Sequence, residues 1–235
     1  MKLPASLLLA AVFAAPVLTS AQQSPQAAPA GQAAPADGAA APAAPAPAAA
    51  AKPQQPAKPD LAQGEQRYTA VCASCHGPGG NSGTPANPKL AQQHPEYLVK
   101  QLMEFKSGKR PSPIMQGFAA QLSEQEMRNV SYWLAAQQAK PGFARDKELV
   151  ALGERVWRGG IPDRNIAACA GCHSPNGAGI PAVYPRLAGQ HADYTAEELI
   201  AFRGGQRPNA VMQSVAAKMN DREIRAVSDY IAGLR

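Results

Sequence analysis

From Asp60 to the C-terminus the apolar positions recur at helical spacing, and no stretch alternates apolar and polar residues as a half-buried strand does. This pattern predicts an all-α fold. In "HPEYLVKQLMEFKSG", Leu98, Leu102 and Phe105 fall on one face of a helix that Gly108 ends. Upstream, "DLAQGEQRYTAVCASCH" predicts a helix running into two cysteines and a histidine. Another helix starts at Ser123: Glu126, three residues on, completes a capping box, and Leu122 is placed to staple onto Met127.

The pattern then returns. A shift of 97 positions superposes Cys72 on Cys169, Cys75 on Cys172, His76 on His173, Pro88 on Pro185, Leu90 on Leu187, Gln93 on Gln190 and His94 on His191. It continues without a gap through Tyr97 and Tyr194, Phe105 and Phe202, Arg110 and Arg207, Met115 and Met212, to Val130 and Val227. Asn220 with Glu223, and Met219 with Ile224, repeat the capping box and staple. Upstream the offset changes: Gly64-Glu65 matches Gly153-Glu154, so the second copy carries eight extra residues around Arg158-Gly159-Gly160. The chain therefore holds a duplicated helical unit. Pro141-Gly142 breaks any helix at the joint, and domains are expected over residues 59–140 and 141–235.

The beginning of the chain follows neither pattern. Met1 to Ala21 has one positive charge at Lys2, an apolar run from Leu7 to Leu18 and small residues at its end, the layout of a secretory signal peptide. Residues 22–58 are almost wholly Ala, Pro and Gln, a composition that cannot bury enough apolar surface to offset the entropy of ordering it, and a disordered or polyproline-like linker is expected. The chain of 235 residues carries a formal charge of +6, of which each copy holds +2 and the segment before Asp60 the remaining +2. That is enough for weak steering toward an acidic partner. No aromatic-basic patch supports nucleic-acid binding, and "SGKRPS" lacks the glycine spacing of a phosphate loop.

The chemistry lies in the repeated C-x-x-C-H. Two sulfurs at i and i+3 and an imidazole at i+4 point to one side of a helical turn. This is the attachment signal for c-type haem, two thioether bonds fixing the porphyrin while the histidine ligates iron. A thioredoxin-like redox pair would want a βαβ setting, and a zinc site on Cys72, Cys75, Cys169 and Cys172 leaves two matched histidines unexplained. Two covalent haem c groups are therefore expected. Met115 and Met212 each follow a matched histidine by 39 residues, in what reads as a proline-bearing loop between helices. A thioether there is a soft ligand favouring reduced iron, which makes the expected metal ligands His76, Met115, His173 and Met212. His94 and His191 also recur, each just before a helix; a structural or propionate-contacting role is expected rather than ligation.

Tandem C-x-x-C-H units, "GCHSPNGAG", "LAGQHADY", the Gly-Gly insertion before the second motif and a Met late in each copy resemble the dihaem cytochrome c4 family from Asp60 to Arg235. The resemblance implies two class I cytochrome c domains facing each other. It also implies a non-enzymatic periplasmic carrier with loose membrane association, passing electrons from a quinol-oxidising membrane complex to a terminal oxidase. By the same resemblance, the Pro88 and Pro185 carbonyls orient the ligating imidazoles, and Leu90 and Leu187 pack on the haem faces. Gly64 and Gly153 let the first helix cross the last near Trp133 and Tyr230. The competing readings are a cytochrome subunit serving a periplasmic dehydrogenase and a dihaem peroxidase. The peroxidase needs an openable iron site, against which the matched methionines argue.

Overall fold

The computed structural model describes residues 57–235. The expected signal peptide, and the expected linker up to residue 56, lie outside the described residues. In the first copy, the Asp60 carboxylate accepts from the Gln63 N–H at 3.0 Å and starts α1 (Leu61–Arg67). A π-helical turn, Tyr68–Cys72, carries the chain directly into the short α2 (Ala73–His76). The expected helix into the motif is thus present, widened by one π-helical turn that ends on the first cysteine, Cys72. It is followed by α3 (Pro95–Lys106), α4 (Pro113–Ala120) and α5 (Glu124–Ala135).

The second copy enters its motif differently. Asp146 caps α6 (Lys147–Gly159) by accepting from the Glu148 and Leu149 N–H groups. The extra residues then make a small loop, in which Ile161 and Ile166 pair across a 3-10 turn at Pro162–Arg164, before α7 (Ala170–His173). Thereafter α8 (Ala192–Arg203), α9 (Ala210–Ala216) and α10 (Asp221–Gly233) parallel the first copy. Among the described residues there is no strand, only two isolated bridges.

Both expected capping boxes form, the Asn220 version as completely as the Ser123 one. The methionine segments, expected as loop, are helical. Ser112 and Asn209 accept from the N–H groups of Met115 and Met212 at 3.3 and 3.0 Å, a cap that starts each helix three residues before its methionine. Pro113 sits in the first turn, where its missing N–H leaves no helical bond unmade.

The first and last helices of each copy cross with their backbones in contact. A Cβ on Gly64 would stand 2.2 Å from the Asn129 carbonyl oxygen and 3.0 Å from Trp133 Cβ; on Gly153, 2.2 Å from the Ala226 oxygen and 2.7 Å from Tyr230 Cβ. Around these crossings lie the cores: Tyr68, Leu98, Val130, Trp133 and Leu134 in the first copy, and Val156, Trp157, Leu199, Phe202, Ile224, Val227 and Ile231 in the second. Each such side chain, fully buried, contributes about 1.5–3 kcal/mol.

The copies meet through a polar cluster supplied symmetrically by both. Arg110 donates to Gln101 Oε1 at 2.8 Å, to the Tyr194 hydroxyl at 2.9 Å and to Glu198. Arg207 donates to Glu198 Oε2 at 2.6 Å, to the Tyr97 hydroxyl at 2.9 Å and to Gln101 Oε1 at 2.7 Å. Each guanidinium also lies 4.5 Å over a phenyl ring of its own copy, Phe105 or Phe202, an attraction that strengthens as water is excluded.

Candidate functional site

Each motif histidine is buried, His76 to 9% exposure and His173 to 6%. Burial holds both imidazoles below the ordinary histidine range, so both are neutral. Nδ1 of His76 lies 3.0 Å from the Pro88 carbonyl oxygen, and Nδ1 of His173 lies 3.0 Å from that of Pro185. A carbonyl can only accept, so the ring proton resides on Nδ1 and the lone pair on Nε2. Nε2 makes no hydrogen bond among the described residues. It is left free to bind a metal.

The segments bearing these prolines are fixed by matched contacts. Leu90 and Ala91 donate their N–H groups to the Gly80 oxygen at 2.8 and 3.0 Å; Leu187 and Ala188 donate to the Gly177 oxygen at the same two distances. Leu90 packs with Cys72 against the first core, and Leu187 packs with Cys169 and Met212 against the second. Met115 and Met212 are half-buried near the start of α4 and α9, beside exposed Ile114 and Val211. None of the four cysteines forms a disulfide; Cys75 is exposed and the others are half-buried.

This donor set suits an iron porphyrin held by thioethers. In each copy it offers two cysteines three residues apart that form no disulfide, a neutral imidazole with its proton tied back, and a half-buried thioether. The four thiols do not gather: among the described residues no group of three or more His, Cys, Asp or Glu could hold a metal ion. His94 and His191 are occupied elsewhere. Their Nε2 atoms lie 3.0 Å from the Ala178 and Ser82 carbonyl oxygens, each in the opposite copy.

The sequence reading aligned Gln93 with Gln190, Tyr97 with Tyr194 and Arg110 with Arg207 but gave none of them a task. Polar residues recurring in register, away from the motif, were the available signal of a surface that both copies share. The same α3 and α8 carry one departure from symmetry at the interface, Gln101 where the second copy has Glu198.

Residues 59–134 match the family described as cytochrome c oxidase, cbb3-type, subunit III, and residues 164–235 match cytochrome c. The chain is 48% identical to cytochrome c4 of Thiocapsa roseopersicina over 180 residues, covering 74% of this chain and 93% of that protein. It is 40% identical to the thiosulfate dehydrogenase electron acceptor of Stutzerimonas stutzeri, over 74% of this chain and 87% of that protein. The crystal structure of reduced recombinant cytochrome c4 from Pseudomonas stutzeri superposes with a TM-score of 0.73 at 41% identity, over 76% of this chain and all of that one. With a duplicated helical unit and two motifs whose donors suit covalent haem, the chain belongs to the cytochrome c4 family, an electron-transfer protein with two haem c groups on two tandem cytochrome c domains.

Proposed function

We propose that the protein is an exported, periplasmic carrier in which His76 with Met115 and His173 with Met212 are the axial pairs, relaying electrons from a quinol-oxidising membrane complex to a terminal oxidase. The observation that carries the ligand assignment is the pair of buried, neutral histidines whose Nδ1 protons are tied to Pro88 and Pro185, leaving Nε2 for iron. When bound, haem c supplies a one-electron ferrous/ferric couple. The protein's part is to hold that couple steady. Pro88 and Pro185 orient the imidazoles, Leu90 and Leu187 close the pockets, and the Ser112 and Asn209 caps position the methionines on α4 and α9. Ile114 and Val211 leave an apolar rim, 71% and 53% exposed, suited to brief contact with redox partners. No described helix is long and apolar enough to cross a membrane.

A specific observation favours a second reading of the donor: a relative at 40% identity is a thiosulfate dehydrogenase electron acceptor. On that reading the same fold accepts electrons from a periplasmic dehydrogenase. Reduction rates with a purified thiosulfate dehydrogenase and with a quinol-oxidising complex separate the two donors. The ligand assignment is tested with carbon monoxide. Wild-type reduced protein should bind almost none, whereas Met115→Ala and Met212→Ala should each open one haem and lower its potential, since the soft ligand that favoured ferrous iron is gone. Ready binding to the wild type would return the peroxidase reading.

A further inference from the structure

The histidine contacts and the interface between domains meet in a single peptide group. The carbonyl that accepts from His76 Nδ1 belongs to Pro88, and the N–H of that same peptide, on Lys89, donates to Gln190 Oε1 of the other domain at 3.0 Å. Gln190 in turn donates from Nε2 to the Lys89 carbonyl at 2.9 Å, so one side-chain amide clasps residue 89 on both sides. The arrangement is repeated in reverse. Pro185 accepts from His173, the Arg186 N–H donates to Gln93 Oε1 at 2.9 Å, and Gln93 Nε2 donates to the Arg186 carbonyl at 2.9 Å.

Neither glutamine is a casual surface contact. They are 8% and 9% exposed. Each Oε1 is aimed by a second donor, the N–H of the following histidine, at 3.0 Å for Gln93 and 2.9 Å for Gln190. Those histidines are pinned through Nε2 to the opposite domain. The glutamines are therefore held in orientation from both sides of the interface.

A peptide group is conjugated, so a hydrogen bond at its N–H moves electron density onto its oxygen and makes that oxygen a better acceptor. A better acceptor at Nδ1 makes the imidazole a stronger donor at Nε2, the atom left for iron. A stronger imidazole donor favours ferric iron and lowers the potential. The route from each glutamine to the ring is only two hydrogen bonds with one peptide between them.

We propose that Gln93 and Gln190 are positioning residues that act in trans: Gln190 sets the ligand strength of His76, and Gln93 that of His173. Each domain's potential then depends on the other domain being docked. This rests on the reading that His76 and His173 ligate iron.

The experiment is spectroelectrochemistry of the full-length holoprotein, with the two couples first assigned by Met115→Ala and Met212→Ala. Gln190→Leu should raise the potential of the first-domain couple alone, changing its ferrous-to-ferric ratio at fixed applied potential by about two- to threefold. At 59 mV per tenfold for one electron this is roughly 20–30 mV. Gln93→Leu should do the same to the second-domain couple alone. In reduced protein, the His76 Nδ1–H resonance should move upfield in Gln190→Leu and stay in place in Gln93→Leu. Gln190→Glu keeps an acceptor oxygen for Lys89 and should leave the first couple at or below its native potential. If instead both substitutions at 190 raise it, the glutamine is only interdomain adhesive and the trans effect is overturned. A shift confined to the domain that carries the substitution, equal movement of both couples, or no movement overturns it as well. If His76→Met and His173→Met leave both couples unchanged, the histidine ligation is wrong and this inference falls with it.

Discussion

In the first domain the motif is tethered by a phenol: Tyr68, in the π-helical turn, donates to the Gly77 oxygen at 2.6 Å. In the second an indole does this work, Trp157 Nε1 donating to the Pro175 oxygen at 3.0 Å from the last turns of α6. The loops after the motifs differ as sharply. Ser82 and Asn87 hold the Cys75 carbonyl at 3.4 and 3.0 Å, whereas the matching stretch of the second domain is Ile180 to Tyr184, with Val183 64% exposed and the Tyr184 ring edge-on to His173. Against this variety, the contacts of His76 and His173, of Gly80 and Gly177, and of Gln93 and Gln190 agree atom for atom. The two copies thus share one solution at the motif histidine's proton and at the glutamine clasp on the other domain, and differ in how each motif is fastened to its own domain.

The comparison breaks first at the helix crossings. Gly64→Ala and Gly153→Ala each drive a methyl group to 2.2 Å from a backbone oxygen, which no rotamer change relieves. Each should destabilise its own domain by about 3 kcal/mol or more. Thermal unfolding followed at the haem absorbance should show one domain melting early in each variant, and a common shift of both would show that the domains unfold as one.

The interface tests the departure from symmetry at Gln101 and Glu198. Glu198→Gln leaves two largely buried guanidiniums with no carboxylate between them and should destabilise the docked pair by about 2 kcal/mol. Gln101→Glu supplies a second carboxylate to the guanidiniums but replaces the amide that donates to Glu104 Oε2 at 2.9 Å with a like charge, so it should change stability by about 1 kcal/mol or less. Urea unfolding at neutral pH reads both. Equal effects of the two variants would mean that Glu198 carries no special weight.

Smaller changes sharpen the contrast between phenol and indole. Tyr68→Phe keeps the ring stacked near Trp133, at a centroid distance of 4.9 Å in the native protein, and removes only the bond to Gly77. A loss of about 1 kcal/mol, confined to the first domain, is expected in the same urea experiment.

The smallest effect is expected at His191. Burial first, then the neighbouring Lys89 and Arg145, holds its imidazole below the ordinary histidine range. The folded chain then takes up its proton at lower pH than the unfolded chain. The stability this provides is complete above about pH 6.5 and declines as the pH falls below it. His191→Asn should reduce the difference in urea midpoint between pH 7 and pH 5; an unchanged difference would assign the acid sensitivity elsewhere.

The sequence by itself carried the all-α class, the duplication, both capping boxes and the pairing of each motif with a late methionine. These are local or periodic: a capping box needs four residues, and a repeat only a shift. The helical state of Met115 and Met212 was missed because Pro111, Pro113 and Pro208 read as breakers, although Ser112 and Asn209 supply caps that let a helix start in their midst. Tertiary structure alone decided what His94 and His191 touch, since their partners, Ala178 and Ser82, are backbone carbonyls 84 and 109 residues away. Every residue offers a carbonyl, so composition and spacing hold no record of which one is chosen. The same reason hid Gln93 and Gln190. Their recurrence was legible, but that each would clasp the peptide beside the other domain's histidine follows only from how the two copies dock.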